Sequence, residues 1–435
     1  MARVVVVGGG LGGTASAARL AKLGHDVTLV EARDRLGGAI GFLEQDGYRW
    51  DTGPTSTALP AVLRDLFRKS GRPLERELEL VAVQPTREHR FEDGTTLALP
   101  AGSRGAQLDA VDAALGAGAG QAWVDYVHGF AGPWDVLRRS YLERPYSPEH
   151  ASPDLKALLG ARTTLHKHVQ KTFKKDERLR RVALTHALLD GQDPRNVPSW
   201  MGLLDYVEQN FGTWTVPGGM GRLAELMTKR LGERKVTVLL GTAVRDIVVR
   251  ERRAVAVATE SGEVDADVVV VAVDPRRIPV LAEHVRRTMP ALPPVVCHLG
   301  LTGDVPELPH EVVLHGDQTV VIRPGERTDD GRTAWTLLGR GRLSEDIVTA
   351  LARRKIDVRE NIEVRIDLSP RDQVVAWGGS PYGVQWQGRR TVAHRLHTAT
   401  PVPGVYCAGV HAGAWSGVPF AALTAANVAE LVGKA

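Results

Sequence analysis

The sequence predicts a mixed α/β chain in which a parallel-sheet domain and an α+β domain are each assembled from separated stretches. Three observations predict it. A β-branched run at residues 3–7 leads into a glycine-rich turn and then a helical pattern. The same order of strand, glycine turn and helix returns at residues 400–431. Between these ends, blocks of helical periodicity and blocks of strand alternation follow one another instead of alternating singly.

Residues 3–7 place four valines after Arg3, which reads as a strand buried on both faces. The chain then enters Gly8-Gly9-Gly10-Leu11-Gly12-Gly13, with G-x-G-x-x-G at Gly8, Gly10 and Gly13. Ala17, Leu20 and Ala21 recur at helical spacing until Gly24, and a second strand at 26–30 delivers Glu31. This is the Rossmann-like order for a dinucleotide. Gly8 permits the tight turn, Gly10 lets a pyrophosphate approach, and Gly13 lets helix and strand pack closely. The phosphates would meet unpaired N–H groups at the helix N-terminus, and Glu31 would accept from the adenosine ribose hydroxyls.

At 435 residues the chain can bury a large core or two cores sharing a seam. Lys+Arg 55 against Asp+Glu 51 is close to balance, which argues against a dedicated nucleic-acid binder. Cys297 and Cys407 lie in apolar runs and read as buried free thiols; two cysteines do not build a zinc site, and no metal centre is expected. A nucleotide strand beginning at residue 3 leaves no room for a signal peptide, and no apolar run reaches the length of a membrane span. The expectation is a soluble, cytoplasmic protein.

In chain order, residues 57–71 predict a helix with Leu59, Val62, Leu63, Leu66 and Phe67 on one face. Residues 77–83 alternate like a strand, and 87–99 read as a hairpin turned at Asp93-Gly94. Residues 103–212 are helical patterns broken by glycines at 116–120 and by prolines. Trp123, Tyr126, Val127, Phe130 and Trp134 recur at helical spacing, as core or as the lining of a substrate tunnel. The basic stretch at 166–175 reads as a solvated helix face, with peripheral contact to an anionic membrane as the alternative. From 215 a Pro-Gly-Gly-Met turn and a helix precede a β-meander, which feeds a buried strand ending at Asp274. Strands at 295–375 with one helix at 344–355, N-capped by Ser344, predict an antiparallel sheet that pairs with the 80–100 strands.

Several of these segments resemble the phytoene desaturase and flavin amine oxidase superfamily. They include the acidic residue and Gly-Gly pair of Glu31-Ala32-Arg33-Asp34-Arg35-Leu36-Gly37-Gly38, the 47–55 segment, Gly218-Gly219-Met220, Ser380-Pro381-Tyr382-Gly383 and the C-terminal turn. In that turn Gly409, His411, Gly413, Val418 and Pro419 correspond to the C-terminal flavin segment of phytoene desaturases. The resemblance covers most of the chain and is weakest over 103–160. It implies FAD as cofactor, held by Gly8, Gly10, Leu11, Gly12, Gly13, Glu31, Ala32, Arg33, Arg35, Gly37, Gly38, Pro54, Thr55, Val244, Gly409, Val418 and Pro419. Ala39 departs from the pattern, because members carry arginine there; Arg33 or Arg35 would compensate. The implied division is an FAD-binding domain of residues 1–76, 215–275 and 376–435. Residues 77–214 and 276–375 then form a substrate domain of antiparallel sheet and helical cap.

A flavin takes a hydride, so the protein supplies position, electrostatics and exclusion of water. The implied reaction is oxidation of a C–C or C–N bond in an apolar or specialised-metabolite substrate, with oxygen or a quinone as acceptor. The alternatives are an amine oxidase releasing peroxide and a flavin-dependent isomerase without net redox change. His411, Trp415, Trp386, Tyr382 and Gln385 are the candidate catalytic residues, His411 as base or flavin-orienting group and the tryptophans as walls for an apolar substrate. Oligomeric state is not legible.

Overall fold

The computed structural model describes residues 1–342 and 345–435. Its organising element is a five-stranded parallel sheet in the order Val405–Cys407, Val268–Val271, Arg3–Val7, Asp26–Val30, Thr237–Leu239. Valine runs suit it because both faces are covered. Val4 and Val6 pack with the helices Leu11–Lys22, Pro60–Ser70, Gly221–Glu233 and Val418–Val432, whereas Val5 and Val7 pack towards the meander at Val244–Asp265. Parallel pairing sends the carboxyl ends of all five strands to one edge. That edge collects Gly8, Glu31, Ala272 and Ala408.

A second sheet has seven strands in the order Ile362–Leu368, Val295–Leu301, Thr333–Gly341, Gln318–Pro324, Val312–Leu314, Arg87–Arg90, Thr96–Leu99. The hairpin at 87–99 joins it through parallel pairing of Arg87–Arg90 with Val312–Leu314. Helices between 104 and 211 cover one side, and Trp123, Tyr126, Val127, Phe130 and Trp134 are buried in their core. The aromatic stripe is packing.

Three local expectations change. The helix of 57–71 begins only at Pro60, because Thr57 pairs with Trp214 and Leu59 takes a positive φ of 51°. The alternation at 77–83 yields a strand only at Val81–Ala82, paired with Trp214–Thr215. A short helical turn at Leu74–Arg76 carries on into Leu78, whose N–H bonds Leu74 O at 2.8 Å. The N-cap expected at Ser344 lies outside the described residues. The helix Ile347–Arg353 is capped by Asp346, which accepts from the N–H groups of Val348 and Thr349. Cys297 and Cys407 are free and buried, and burial pushes both thiols up to about 12.

Candidate active site

The glycines of the first turn are held for different reasons. Gly8 has φ 102°, which an L side chain resists. A Cβ on Gly12 would lie 2.5 Å from Gly409 Cα, so this position brings the first and last turns together. A Cβ on Gly13 would drive into Gly8 O, far inside van der Waals contact. Gly10 is different. Its φ is −69°, and the only atom within 4 Å of a Cβ there is Gly38 Cα at 3.9 Å. Nothing among the described residues requires glycine at this position, and the space beside it is what a close-approaching pyrophosphate would need.

Glu31 accepts from Gly9 N at 2.6 Å and from Arg33 N at 2.8 Å, which fixes the carboxylate at the mouth of the turn. Arg33 also donates to Gly38 O at 3.2 Å; Ala32 and Arg35 are exposed. Gly37 N bonds Gly9 O at 2.8 Å, so the Gly37-Gly38 pair lies along the first turn. Ala39 is drawn in by its backbone, its carbonyl accepting from Thr52 Oγ1 at 3.0 Å. Pro54 and Thr55 follow, with Thr55 O accepting from Thr215 Oγ1 at 2.8 Å. Val244 opens the first strand of the meander opposite Thr259.

Two helix N-termini meet here without side-chain caps: the helix after Gly10 and the helix after Gly417. Uncapped first-turn N–H groups are binding positions for negative charge. Val418 and Pro419 begin the second of these helices, and Gly409 N is tied to Thr424 Oγ1 at 2.7 Å.

The 380–386 loop lies on the C-terminal turn. A Cβ on Gly383 would strike Val410 O, and one on Gly379 would reach Asp274 Cβ at 2.9 Å. This packing brings Tyr382, Trp386, His411 and Trp415 into one neighbourhood. Trp200 joins the two tryptophans edge to face, 5.2 Å from Trp386 and 5.3 Å from Trp415. Gln385 is apart from them: it pairs with Met289, and its side-chain oxygen accepts from Gln387 at 3.1 Å. His411 is buried, its Nδ1 has no partner among the described residues, and burial holds its pKa down to about 4, so the imidazole is neutral at pH 7.

Next to this group is a buried polar cluster that the motifs do not announce. Ser416 Oγ donates to Asp190 Oδ1 at 2.7 Å, and burial still holds the Asp190 carboxyl above its usual range. Arg340 donates to Leu189 O at 2.8 Å and lies 5.0 Å from the Tyr382 ring centroid. Arg323 donates to Glu311 at 2.8 Å, and Arg87 bridges Glu311 at 2.5 Å and Glu208 at 3.3 Å. Trp200, Asp190 and Arg340 carry no spacing signal, because each reaches the site from a different element.

A glycine turn at the carboxyl edge of a parallel sheet, met by a second turn from the far end of the chain, has the geometry of a dinucleotide site. The chain belongs to the flavin containing amine oxidoreductase family, whose profile matches residues 11–333. It is 29% identical to the hydroxyneurosporene desaturase of Cereibacter sphaeroides, over 99% of this chain and 97% of that protein. It is 29% identical to the 4,4'-diapolycopene oxygenase of a Methylomonas species and 31% identical to the phytoene dehydrogenase of Streptomyces griseus. Each of those matches covers 72% of this chain and less than two thirds of the relative, 66% and 63%. Among solved structures, putrescine oxidase bound to putrescine superposes with a TM-score of 0.70 at 18% identity, covering 99% of both chains. Cyclohexylamine oxidase from Brevibacterium oxydans gives 0.67 at 19% identity, also over 99% of both. These two share the fold.

Proposed function

We propose that the protein binds FAD and removes a hydride from a C–C or C–N bond of an apolar or specialised-metabolite substrate, with oxygen or a quinone as final acceptor. The observation that carries this reading is Gly10: a glycine required by neither φ nor packing, beside an uncapped helix N-terminus, at the edge where both chain ends meet. In this reading residues 1–76, 215–275 and 376–435 hold the cofactor. Residues 77–214 and 276–375 select the substrate.

FAD, when bound, supplies the electron sink. The chain's own residues do the rest. Leu11, Gly12 and Gly13 offer their N–H groups to the pyrophosphate, and Glu31 takes the ribose hydroxyls. The N-terminus at Val418 would stabilise negative charge on a flavin ring bound before it. Trp200, Trp386 and Trp415 keep water out of the space before the 409–415 turn. The carotenoid-acting names of the relatives support an apolar substrate.

Anaerobic incubation of the yellow protein with a polyene hydrocarbon in detergent micelles tests this. Removal of two hydrogens lengthens the conjugated system, so bleaching of the flavin should accompany a red-shifted product. Bleaching by amines alone, with peroxide on readmitting air, would replace the reading with amine oxidation.

A further inference from the structure

Arg395 lies between the short helix Thr391–His394 and the last strand, and it is only 5% exposed. Burying a guanidinium is costly unless an acid or a full set of acceptors meets it. Among the described residues, Arg395 has no carboxylate partner. Its Nη2 donates to His411 O at 3.0 Å and also to Gly413 O. Its Nε has no partner, and the guanidinium lies 5.9 Å from the Trp386 ring centroid. The neighbouring titratable groups do not offset it. Burial holds His411 down to about 4 and His397 to about 3, and Tyr141 is pushed up, so all three are neutral at pH 7. Asp274, itself paired with Arg276 at 3.0 Å, is the acid that acts on His411.

The direction of those two carbonyls matters. A trans peptide holds its C=O and the following N–H antiparallel. Carbonyls turned towards Arg395 therefore send the N–H groups of Ala412 and Ala414 the other way. That of Ala412 is used, donating to Gly409 O at 3.1 Å. That of Ala414, a buried residue, has no partner among the described residues. A buried donor left unpaired marks a place where a missing acceptor belongs.

We infer that Arg395 is a positioning residue for the flavin: it turns the Gly413–Ala414 peptide so that its N–H faces the cofactor, and it sets one uncompensated positive charge behind that turn. The inference rests on the flavin reading above. It assigns to this side chain a bias of the bound flavin towards its reduced form, because negative charge gained on reduction meets a fixed cation in a water-poor site.

The test is the two-electron midpoint potential of the purified holoprotein, measured by dye equilibration, for wild type, R395Q and R395K. R395Q should shift the equilibrium about tenfold or more towards oxidised flavin, a fall of ~30 mV or more. R395K keeps the charge and should stay within about threefold of wild type. A yellow R395Q with an unchanged potential overturns the inference alone. If R395Q does not fold, R395K decides: a tenfold shift with the charge retained also overturns it. Wild-type protein that takes up no flavin overturns the flavin reading, and this inference with it.

Discussion

Gly10 and Gly13 stand three residues apart in one turn and answer to different constraints. A methyl group on Gly13 meets Gly8 O, a backbone atom that cannot swing aside. G13A should therefore lower stability by about 1–3 kcal/mol, read as a fall in the urea midpoint of the cofactor-free protein. A methyl group on Gly10 meets open space in the protein itself. G10A should leave that midpoint unchanged and weaken FAD binding about tenfold or more, measured by flavin fluorescence titration. The spacing of these glycines is legible in the sequence, but which one faces a ligand is not, because that depends on what each missing Cβ would touch. Buried histidines make the fold sensitive to pH. Burial holds His298 and His411 down to about 4, and His315 and His397 to about 3. The unfolded chain therefore binds more protons than the folded one below about pH 6.5. This stabilisation is complete above that pH and is lost as pH falls through the folded values. Asp205, which burial pushes up to about 7, acts in the opposite sense over this range, so the histidine share is read by difference. The melting temperature of H298Q should fall less than that of wild type from pH 6.5 to pH 4.5, and parallel profiles would contradict a buried, neutral imidazole.

Elements were legible where a local signal and a tertiary partner agree. The valine strand, its glycine turn and the helix Leu11–Lys22 share one short stretch, and the hairpin at 87–99 has Gly94 at φ 87° in its turn. Residues 77–80 show the opposite case. Leu78 is buried and Leu80 partly buried against the helices of the parallel sheet, so the alternation is real, but Glu77 is held by Arg230 at 2.6 Å and, among the described residues, no strand pairs with 77–80. Asp51 is a helix cap that no sequence spacing reveals. At the end of the strand Tyr48–Asp51 it accepts from Met220 N at 3.1 Å and Gly221 N at 2.8 Å, at the start of the helix Gly221–Glu233. D51A should cost about 1–3 kcal/mol in a urea denaturation series, because two orphaned N–H groups lose their acceptor across the whole hairpin-to-helix contact.

At the scale of the molecule, the interleaving of the two sheets follows from motif order, whereas the contacts that join sheet to helices do not. Arg87 on the seven-stranded sheet reaches Glu311 and also Glu208 on the helix Leu203–Phe211, all three buried. R87M leaves Glu311 to Arg323 and Glu208 to His186, 3.1 Å away, and should destabilise by about 1.5–3 kcal/mol through the lost charged hydrogen bonds. R3M breaks pairs with Asp265 and Asp267 that are largely exposed and should leave the urea midpoint nearly unchanged. Neither arginine differs from the other in sequence; burial alone separates them. The buried polar cluster of Asp190, Tyr382 and Arg340 is likewise assembled from distant elements, which is why no motif spacing reveals it. All of this geometry serves one claim, that both ends of the chain close around a dinucleotide bearing a flavin. The direct measurement is the cofactor released by heat from freshly purified protein, identified and quantified by chromatography. FAD at about one equivalent per chain is the expected result. Colourless protein that releases no flavin, and takes up none when FAD is supplied, would contradict it.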